Sequence, residues 1–398
     1  MVRMTFSRSA GGTFNQFFMS FLLVWLIKLG SIDVHAQRAR DWGIPFRGET
    51  GRFNAITDVE GVQVGHCTLI EGQGSLRIGK GPIRTGVTAI LPSGKKFRPL
   101  FAASEALNGN GEMTGTTWVN ESGILEEPIL LTNTHSVGMV YEAVIHWRRN
   151  ADYFEPGDTY GWASLPVVAE TWDGRLNDIH GHHVRKEHVF QALDDARSGP
   201  VQEGNVGGGT GMVCHRFKGG IGTASRVLEN GYTLGVLVQA NYGKREDLTI
   251  AGLRLGEKLT GHEMIMNGLE PDHLGHSIIV IIATDAPLLP HQLKRIARRS
   301  SLGIGRTGGI GANSSGDLFL AFSTAPIGKP SRQGEHTIKM LSNGQMDAFF
   351  EATVQCVEES VINSMVAAET MVGINGNTVF QMPKDQVIQL LNKHHLID

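Results

Sequence analysis

One run of the sequence, SIIVIIAT from Ser277 to Thr284, restricts the fold more than any other segment. Residues 278–282 are all β-branched and apolar, and the run is closely followed by proline, which predicts a buried strand. Its first residue, Ser277, is a lone hydroxyl at the mouth of the most apolar strand in the chain. The position of that hydroxyl is the first indication of a functional site.

Other segments of the sequence also predict strands and helices. Short β-rich segments bounded by Gly, Pro or Asn predict strands over 86–92, 127–134, 232–241 and 277–284. Apolar residues at helical spacing predict helices over 137–149, 186–199, 288–303 and 345–371. Buried strands interleaved with helices predict an α/β layered architecture, and the absence of linker composition after residue 40 predicts one large domain.

The composition excludes several classes of protein. The chain has 398 residues, a net charge of -3 and 41% hydrophobic residues, which is typical of a globular protein. A charge this small gives no reason to expect nucleic acid or an anionic membrane surface as a partner.

The N-terminus reads as a targeting segment. Arg3 and Arg8 precede an apolar run over 17–27, and Val34 and Ala36 fit the small-residue rule for cleavage after Ala36. We therefore predict a secretory signal peptide over 1–36, a mature chain over 37–398, and a periplasmic or secreted location. The alternative is an N-terminal membrane anchor, although the run is short for a span.

Cysteines and histidines do not predict a metal site. Cys67, Cys214 and Cys356 are far apart with no CxxC spacing, so buried thiols are expected. The segment 178–188 clusters four histidines, but it has no HExxH and its histidines do not share a helical face. We interpret this segment as a hydrated surface loop, with a metal site as the alternative.

Two glycine-rich motifs resemble nucleotide-binding loops but lack their context. GIGRTG, over 303–308, follows a helix rather than a strand, so we expect it to be a helix C-cap and loop. NVGGGTG, over 205–211, lacks the ending of a phosphate-binding loop. It is interpreted either as a flexible loop at a processing or active site or as a plain turn.

A physical route makes Ser277 a candidate nucleophile. No GxSxG motif occurs, which disfavours a conventional serine hydrolase. If the chain were cut before Ser277, the residue would carry a free α-amine with a pKa of about 8. That amine can take the hydroxyl proton near neutral pH without a histidine. Gly275 would permit the bend that self-cleavage requires.

Long motifs carry a family resemblance. Among them are NAITDVEGVQVGHCTLI, LNDIHGHHVRKEHV, FKGGIGTASRVL, LGVLVQANYGKREDLTI and SIIVIIATDAPLLPHQLKRIARR. From about Ala39 to Met371 the chain closely resembles the L-aminopeptidase/D-esterase family, which includes the β-peptidyl aminopeptidases. The resemblance implies a four-layer αββα sandwich like that of N-terminal nucleophile hydrolases, with different connectivity. It also implies no cofactor, a homo-oligomer that is often a tetramer, and self-cleavage into two chains that stay together.

The resemblance assigns roles to particular residues. Ser277 resembles the nucleophile, and His276–Ser277 the processing bond, which gives chains over 37–276 and 277–398. Asn241 resembles the oxyanion-hole donor, and an acidic group at Glu170 would bind the substrate's ammonium. In NSSGD, Ser315 and Asp317 resemble the second Ser and acidic pair of the family.

Each role has a structural alternative. Asn241 would then cap a strand end, Glu170 would pair with Arg175 or Arg185, and Ser315 and Asp317 would be polar loop residues.

Two positions depart from the family pattern. His276 stands where a small residue or an amide is usual, and its imidazole would either slow processing or assist it by proton transfer. Trp172 stands where relatives often carry Tyr, which leaves a second oxyanion donor open.

The sequence thus predicts an exported, self-processed serine aminopeptidase that releases N-terminal residues from small peptides, amides or esters. The alternatives are an acyltransferase that uses the same acyl-enzyme, and an unprocessed, non-enzymatic binding or scaffold relative.

Overall fold

The structure is a computed structural model that describes residues 37–150, 165–268, 276–328, 335 and 337–397. The predicted signal peptide over 1–36 and Gly275 lie outside the described residues. Gln37–Asp398 forms one compact unit. No helix within the described ranges is long and apolar enough to cross a bilayer.

Two mixed sheets contain the long strands. The first has the order β1-β2-β5-β6, with strands Gln63–Glu71, Ile83–Lys95, Ile129–Asn133 and Val167–Thr171. The second has the order β4-β3-β14-β13-β10-β9, with strands Ile124–Leu125, Leu100–Gly109, Ser315–Ser323, His276–Thr284, Thr233–Asn241 and Gly220–Val227. Three two-residue pairs lie outside the sheets: Val213–Cys214 with Phe217–Lys218 (β7, β8), Thr249–Ile250 with Leu253–Arg254 (β11, β12), and Met371–Val372 with Thr378–Val379 (β15, β16).

The described residues contain six α-helices, α1 to α6 in chain order: Thr116–Ser122, Val137–Asn150, Lys186–Asp194, Pro290–Arg306, Met346–Val366 and Lys384–Lys393. Each predicted helix and strand is confirmed, with shifted ends. The longest predicted helix, over 345–371, ends at Val366 because Ala367 begins the turn that leads to β15.

Apolar side chains divide the molecule into four layers. One cluster lies between the two sheets and includes Ile129 of the first sheet with Ile279 and Leu320 of the second. A second cluster packs the outer face of the first sheet against α2 and α3. The largest cluster packs the outer face of the second sheet against α4 and α5. The predicted αββα sandwich is therefore confirmed.

The expected C-cap does lie within GIGRTG, but at its fifth residue and not at its first glycines. Helix α4 continues through this motif to Arg306, and its C-cap is Thr307. A Cβ built on Gly303 would lie 2.6 Å from the Cβ of Val357 in α5. Gly303 is thus a site of close contact between two helices.

A parallel pair of strands positions the candidate site. β13 and β14 run parallel, with α4 as the crossover between them, so both strands begin at the same end of the sheet. β10 is antiparallel to β13, which places the last residue of β10, Asn241, opposite Ser277. The polar starts and ends of these central strands therefore meet.

Candidate active site

Ser277 is the second residue of β13 and is 5% exposed. Its Oγ donates a hydrogen bond to the carbonyl oxygen of His276 at 2.6 Å, and it accepts one from the backbone N–H of Gly316 at 3.2 Å. In the intact chain, the hydroxyl is thus fixed beside the carbonyl of the peptide bond that precedes it.

Asn241 lies beside Ser277 with its side-chain amide anchored on both sides. Its Oδ1 accepts from the backbone N–H of Val213 at 2.8 Å, and its Nδ2 donates to the carbonyl oxygen of Trp172 at 2.9 Å. Asn241 is the strand-terminal residue that the structural alternative required, and it is also the cross-strand partner of Ser277. An N–H donor is thereby held next to the hydroxyl.

Ser315 and Asp317 are buried in β14 and are not loop residues. The Ser315 Oγ donates to Asp317 Oδ1 at 2.6 Å, and among the described residues Asp317 Oδ2 has no hydrogen-bond partner. Burial raises the pKa of Asp317 above its ordinary value, although the bond from Ser315 opposes this shift.

The side chains of Ser277 and Asp317 lie on opposite faces of the sheet. Residues two apart in a strand share a face, so Ser277 points to the same side as Ile279, which packs between the sheets. Asp317 points to the same side as Phe319, which faces the helices. Ser315 and Asp317 border a small cavity of about 30 Å³, together with His276. The residue before the candidate scissile bond therefore borders the same cavity as the Ser315–Asp317 pair.

Glu170 belongs to β6 of the other sheet and is buried. Its Oε1 accepts from the backbone N–H of Glu112 at 3.1 Å, and its Oε2 accepts from the Thr134 hydroxyl. Among the described residues, neither Arg175 nor Arg185 pairs with it. Burial raises the pKa of Glu170, and these two bonds oppose the shift.

A cavity adjoins Glu170. Its volume is about 360 Å³, and Gly111, Glu112, Met113 and Leu318 contribute to its lining. A Cβ on Gly111 would lie 3.2 Å both from Glu170 Oε1 and from the Cα of Gly316. The cavity therefore opens beside the carboxylate and one strand away from Ser277.

Trp172 follows β6 and contributes its backbone carbonyl to Asn241. Its indole ring lies against the Arg175 guanidinium, with 5.5 Å between Cζ and the ring centroid.

The histidine segment contributes no metal centre. His180 and His182 are exposed beside His135, while His183 Nε2 bonds Asp178 Oδ2 at 2.8 Å and His188 Nδ1 accepts from the Arg185 amide. Over the described ranges, no group of three or more His, Cys, Asp or Glu side chains is arranged to hold a metal ion. All three cysteines are buried thiols, as expected.

Sequence analysis missed the residues that support the site. Thr134 holds Glu170, and Val213 holds Asn241. The glycine run over 205–211 was the sequence signal that could have indicated the contact between Val213 and Asn241. Its glycines 207–209 form a buried 3-10 turn that leads directly into Val213, so the run is a packed turn and not an open loop.

Comparisons with known proteins agree with this geometry. The model of peptidase family S58 matches residues 54–379. The chain belongs to this family. It is 48% identical over 389 residues to the beta-peptidyl aminopeptidase BapA of Sphingosinicella microcystinivorans, covering 94% of this chain and 96% of that protein. The S58 chain is accordingly an aminopeptidase, and so a hydrolase.

Solved structures of relatives share the fold. The L-aminopeptidase D-Ala-esterase/amidase of Ochrobactrum anthropi, described as a variant of the Ntn hydrolase fold, superposes with a TM-score of 0.83 and 46% identity. The match spans 91% of this chain and 99% of the Ochrobactrum anthropi chain. A β-aminopeptidase from Burkholderia sp. superposes with a TM-score of 0.79 at 46% identity, over 90% of this chain and 99% of its own.

Proposed function

We propose that this S58 aminopeptidase cuts its own chain between His276 and Ser277 and then uses Ser277 as an N-terminal nucleophile. The observation that carries the proposal is the position of the Ser277 hydroxyl, 2.6 Å from the carbonyl oxygen of His276 and at the start of a buried strand. A strand fixed on both sides holds the two reacting groups together in the intact chain.

The cutting step is an acyl shift followed by hydrolysis. The Ser277 Oγ bonds to the carbonyl carbon of His276, the peptide C–N bond breaks, and the hydroxyl proton passes to the released nitrogen. Water then cleaves the ester, which leaves a carboxylate on His276 and a free amine and hydroxyl on Ser277. In this step the imidazole of His276 either slows the reaction or assists proton transfer.

Turnover uses the same serine. The Ser277 Oγ attacks the carbonyl after the first substrate residue, and its own α-amine, with a pKa of about 8, takes the hydroxyl proton. The substrate C–N bond then breaks, and the α-ammonium gives this proton to the amine that leaves, so that the first residue remains as an ester on Ser277. Asn241 donates to the developing oxyanion, and an interaction of this kind contributes about 3 kcal/mol. Water then releases the residue from the acyl-enzyme. An added amine in place of water would give acyl transfer.

The Ser315–Asp317 pair would hold the new amine. Departure of the His276 end opens the small cavity that it borders, and the Ser277 amine can then approach Ser315 and Asp317. A carboxylate there orients the amine, and the Ser315 hydroxyl can relay its proton.

The substrate would be held by its free ammonium group. Glu170 is a buried acceptor beside the cavity of about 360 Å³, which gives room for a complete N-terminal residue. Small peptides, amides and esters fit this arrangement. Because relatives at 48% identity are named beta-peptidyl aminopeptidases, we include N-terminal β-amino acid residues among the substrates. We further propose that the enzyme is exported and forms a homotetramer.

A denaturing gel with N-terminal sequencing tests the proposal. Two fragments are expected, and the smaller one should read Ser-Ile-Ile-Val. Ser277→Ala should give one uncut chain that does not hydrolyse amino-acid p-nitroanilides. Ser314→Ala, a neighbouring serine in an exposed loop, serves as the matched control and should be cut and active. Full activity in an uncut chain would refute the assignment.

A further inference from the structure

Lys218 is a fully buried lysine close to the candidate oxyanion donor. It is the last residue of β8, and its side chain is 0% exposed. Its Nζ donates to three backbone carbonyl oxygens, those of Met212 at 2.6 Å, Gly219 at 2.8 Å and Gly209 at 3.5 Å. Within the described residues, no carboxylate lies at ion-pair distance from this nitrogen.

An arrangement of this kind is costly. Transferring an ammonium group from water to the protein interior opposes folding by several kcal/mol unless partners compensate. Burial lowers the pKa of Lys218 to about 7, while Asp173 and Cys214 act in the opposite direction. Three carbonyl acceptors match the three N–H donors of the charged form. A neutral side chain could fill this space, so the charge itself calls for an explanation.

The Met212 carbonyl links Lys218 to the candidate site. Lys218 Nζ bonds the oxygen of the Met212–Val213 peptide, and the N–H of that same peptide bonds Asn241 Oδ1 at 2.8 Å. The series of hydrogen bonds continues through the Asn241 amide, whose Nδ2 donates to the Trp172 carbonyl. A donor at one end draws electron density along both amides and makes each N–H a stronger donor, and the effect is largest while Lys218 is protonated, below its pKa of about 7.

We propose that Lys218 is a positioning residue for the oxyanion hole, which fixes and polarises the Asn241 amide through the Met212–Val213 peptide. This inference rests on the proposed function, in which Asn241 stabilises the oxyanion. Lys218 touches neither the substrate nor the reacting atoms. It acts only on the orientation and donor strength of Asn241.

A double-mutant cycle tests the link. Lys218→Met should lower kcat about tenfold and leave KM within about twofold, because removal of the donor itself typically costs 10²–10³ in kcat. Lys218→Gln keeps N–H donors for the Met212 carbonyl but lacks the charge, so an intermediate kcat is expected. In an Asn241→Ala background, Lys218→Met should have less than a twofold further effect on kcat.

Controls separate this role from a general loss of structure. Cys356→Ala removes a buried thiol from α5, away from the bonded residues, and its kcat should match the wild type. Each variant is assayed as processed, folded protein, with processing followed by gel and folding by thermal unfolding. Multiplicative effects of Lys218→Met and Asn241→Ala, or an unchanged kcat in Lys218→Met, would overturn the inference.

A measurement on wild-type protein covers the case in which both Lys218 variants fail to fold. With lysine labelled at ¹³Cε, binding of an amino-aldehyde that forms a tetrahedral adduct should shift the resonance of the buried lysine. A simple amine inhibitor, which forms no oxyanion, should not shift it. No response to the aldehyde would refute the link to the oxyanion. A wild-type enzyme without aminopeptidase activity would instead refute the proposed function.

Discussion

At the scale of single residues, the proposed function gives two buried carboxylates different roles, one in binding and one in catalysis. Gly111 and Glu112 line the larger cavity beside Glu170, and Asp317 borders the small cavity together with His276. Both carboxyl groups have a pKa raised by burial. Their placement on different sheets, one on β6 and the other on β14, suits two different amines: that of the substrate and that of Ser277.

Glu170→Gln should weaken binding of substrates that have a free amine. A charge-assisted hydrogen bond typically contributes 1.5–3 kcal/mol, so KM should rise roughly ten- to a hundredfold. Steady-state kinetics on an amino-acid p-nitroanilide measures the change. Glu121→Gln is the matched control, because this exposed glutamate of α1 neither lines the cavity nor bonds Glu170. An unchanged KM in Glu170→Gln would remove this residue from substrate binding.

Asp317→Asn should shift the pH dependence of kcat/KM. Activity rises as the Ser277 α-amine loses its proton, at a pKa of about 8. A nearby carboxylate raises that pKa, so its removal should move the rise to lower pH by about one unit. Maximal kcat should also fall, because the amide oxygen of asparagine is a weaker acceptor for the Ser315 hydroxyl than a carboxylate oxygen. Asp247→Asn, on the same small cavity but bonded to Arg254, should leave the profile in place. A shift to higher pH would contradict the assignment.

At the scale of elements, local patterns predicted most helices and strands, while contacts between distant segments set what remained. Alternating or continuous apolar runs are local properties, so β10, β13 and α5 were predictable. The extension of α4 through its glycines was not, because the cause lies in Val357, more than fifty residues away. The cross-strand pairing of Asn241 with Ser277 was not predicted either, because the resemblance gave the two residues their roles and spacing gave no register between their strands. The support that Lys218 gives Asn241 had no signal in the sequence alone.

The two interior glycines of α4 should respond to alanine in opposite ways. A Cβ on Gly303 would lie 2.6 Å from Val357 and 2.9 Å from the Val354 carbonyl oxygen, whereas one on Gly305 meets nothing within 4 Å. Gly303→Ala should destabilise the protein by about 1–3 kcal/mol through overpacking. Gly305→Ala should stabilise it by about 0.5–1 kcal/mol through helix propensity. Thermal unfolding compares the two, and equal effects would refute the close packing of α4 on α5.

At the scale of the whole molecule, the candidate scission leaves both chains embedded in one sheet. β13 lies between β10 and β14, so the first strand of the 277–398 fragment pairs along its length with a strand of the 37–276 fragment. The apolar clusters on both faces of this sheet combine residues of the two fragments. Cutting this bond therefore leaves every cross-strand pair of β13 from Ser277 onward in place, and only the His276–Ser315 pair can be lost.

The stability of the whole molecule should depend on pH through His215. This residue is fully buried, and burial lowers its pKa from 6.5 to about 4. The unfolded chain takes up a proton below pH 6.5, but the folded chain does not until about pH 4, so stability is full above pH 6.5 and falls between these values. His215→Asn should recover roughly 2 kcal/mol of the loss between pH 7.5 and pH 5.

His182→Asn is the matched control for this measurement. Both histidines have a positive φ, 48° for His215 and 50° for His182, which asparagine tolerates, but His182 is exposed. Unfolding midpoints at the two pH values should therefore keep their wild-type difference in His182→Asn. The same difference in His215→Asn would show that burial of this imidazole does not couple to folding.

The two ends of the described chain lie together on the α6 side of the molecule. Lys384 Nζ donates to Gln37 Oε1 at 2.9 Å, and a Cβ on Gly43 would lie 3.8 Å from the Cβ of Ile397. A rearranged gene could therefore begin translation at Ser277, join residue 397 to residue 37 through a short linker, and stop at His276. Once the initiator methionine is removed, such a polypeptide would leave the ribosome with its reactive amine already exposed, and we expect it to hydrolyse substrate without any maturation step.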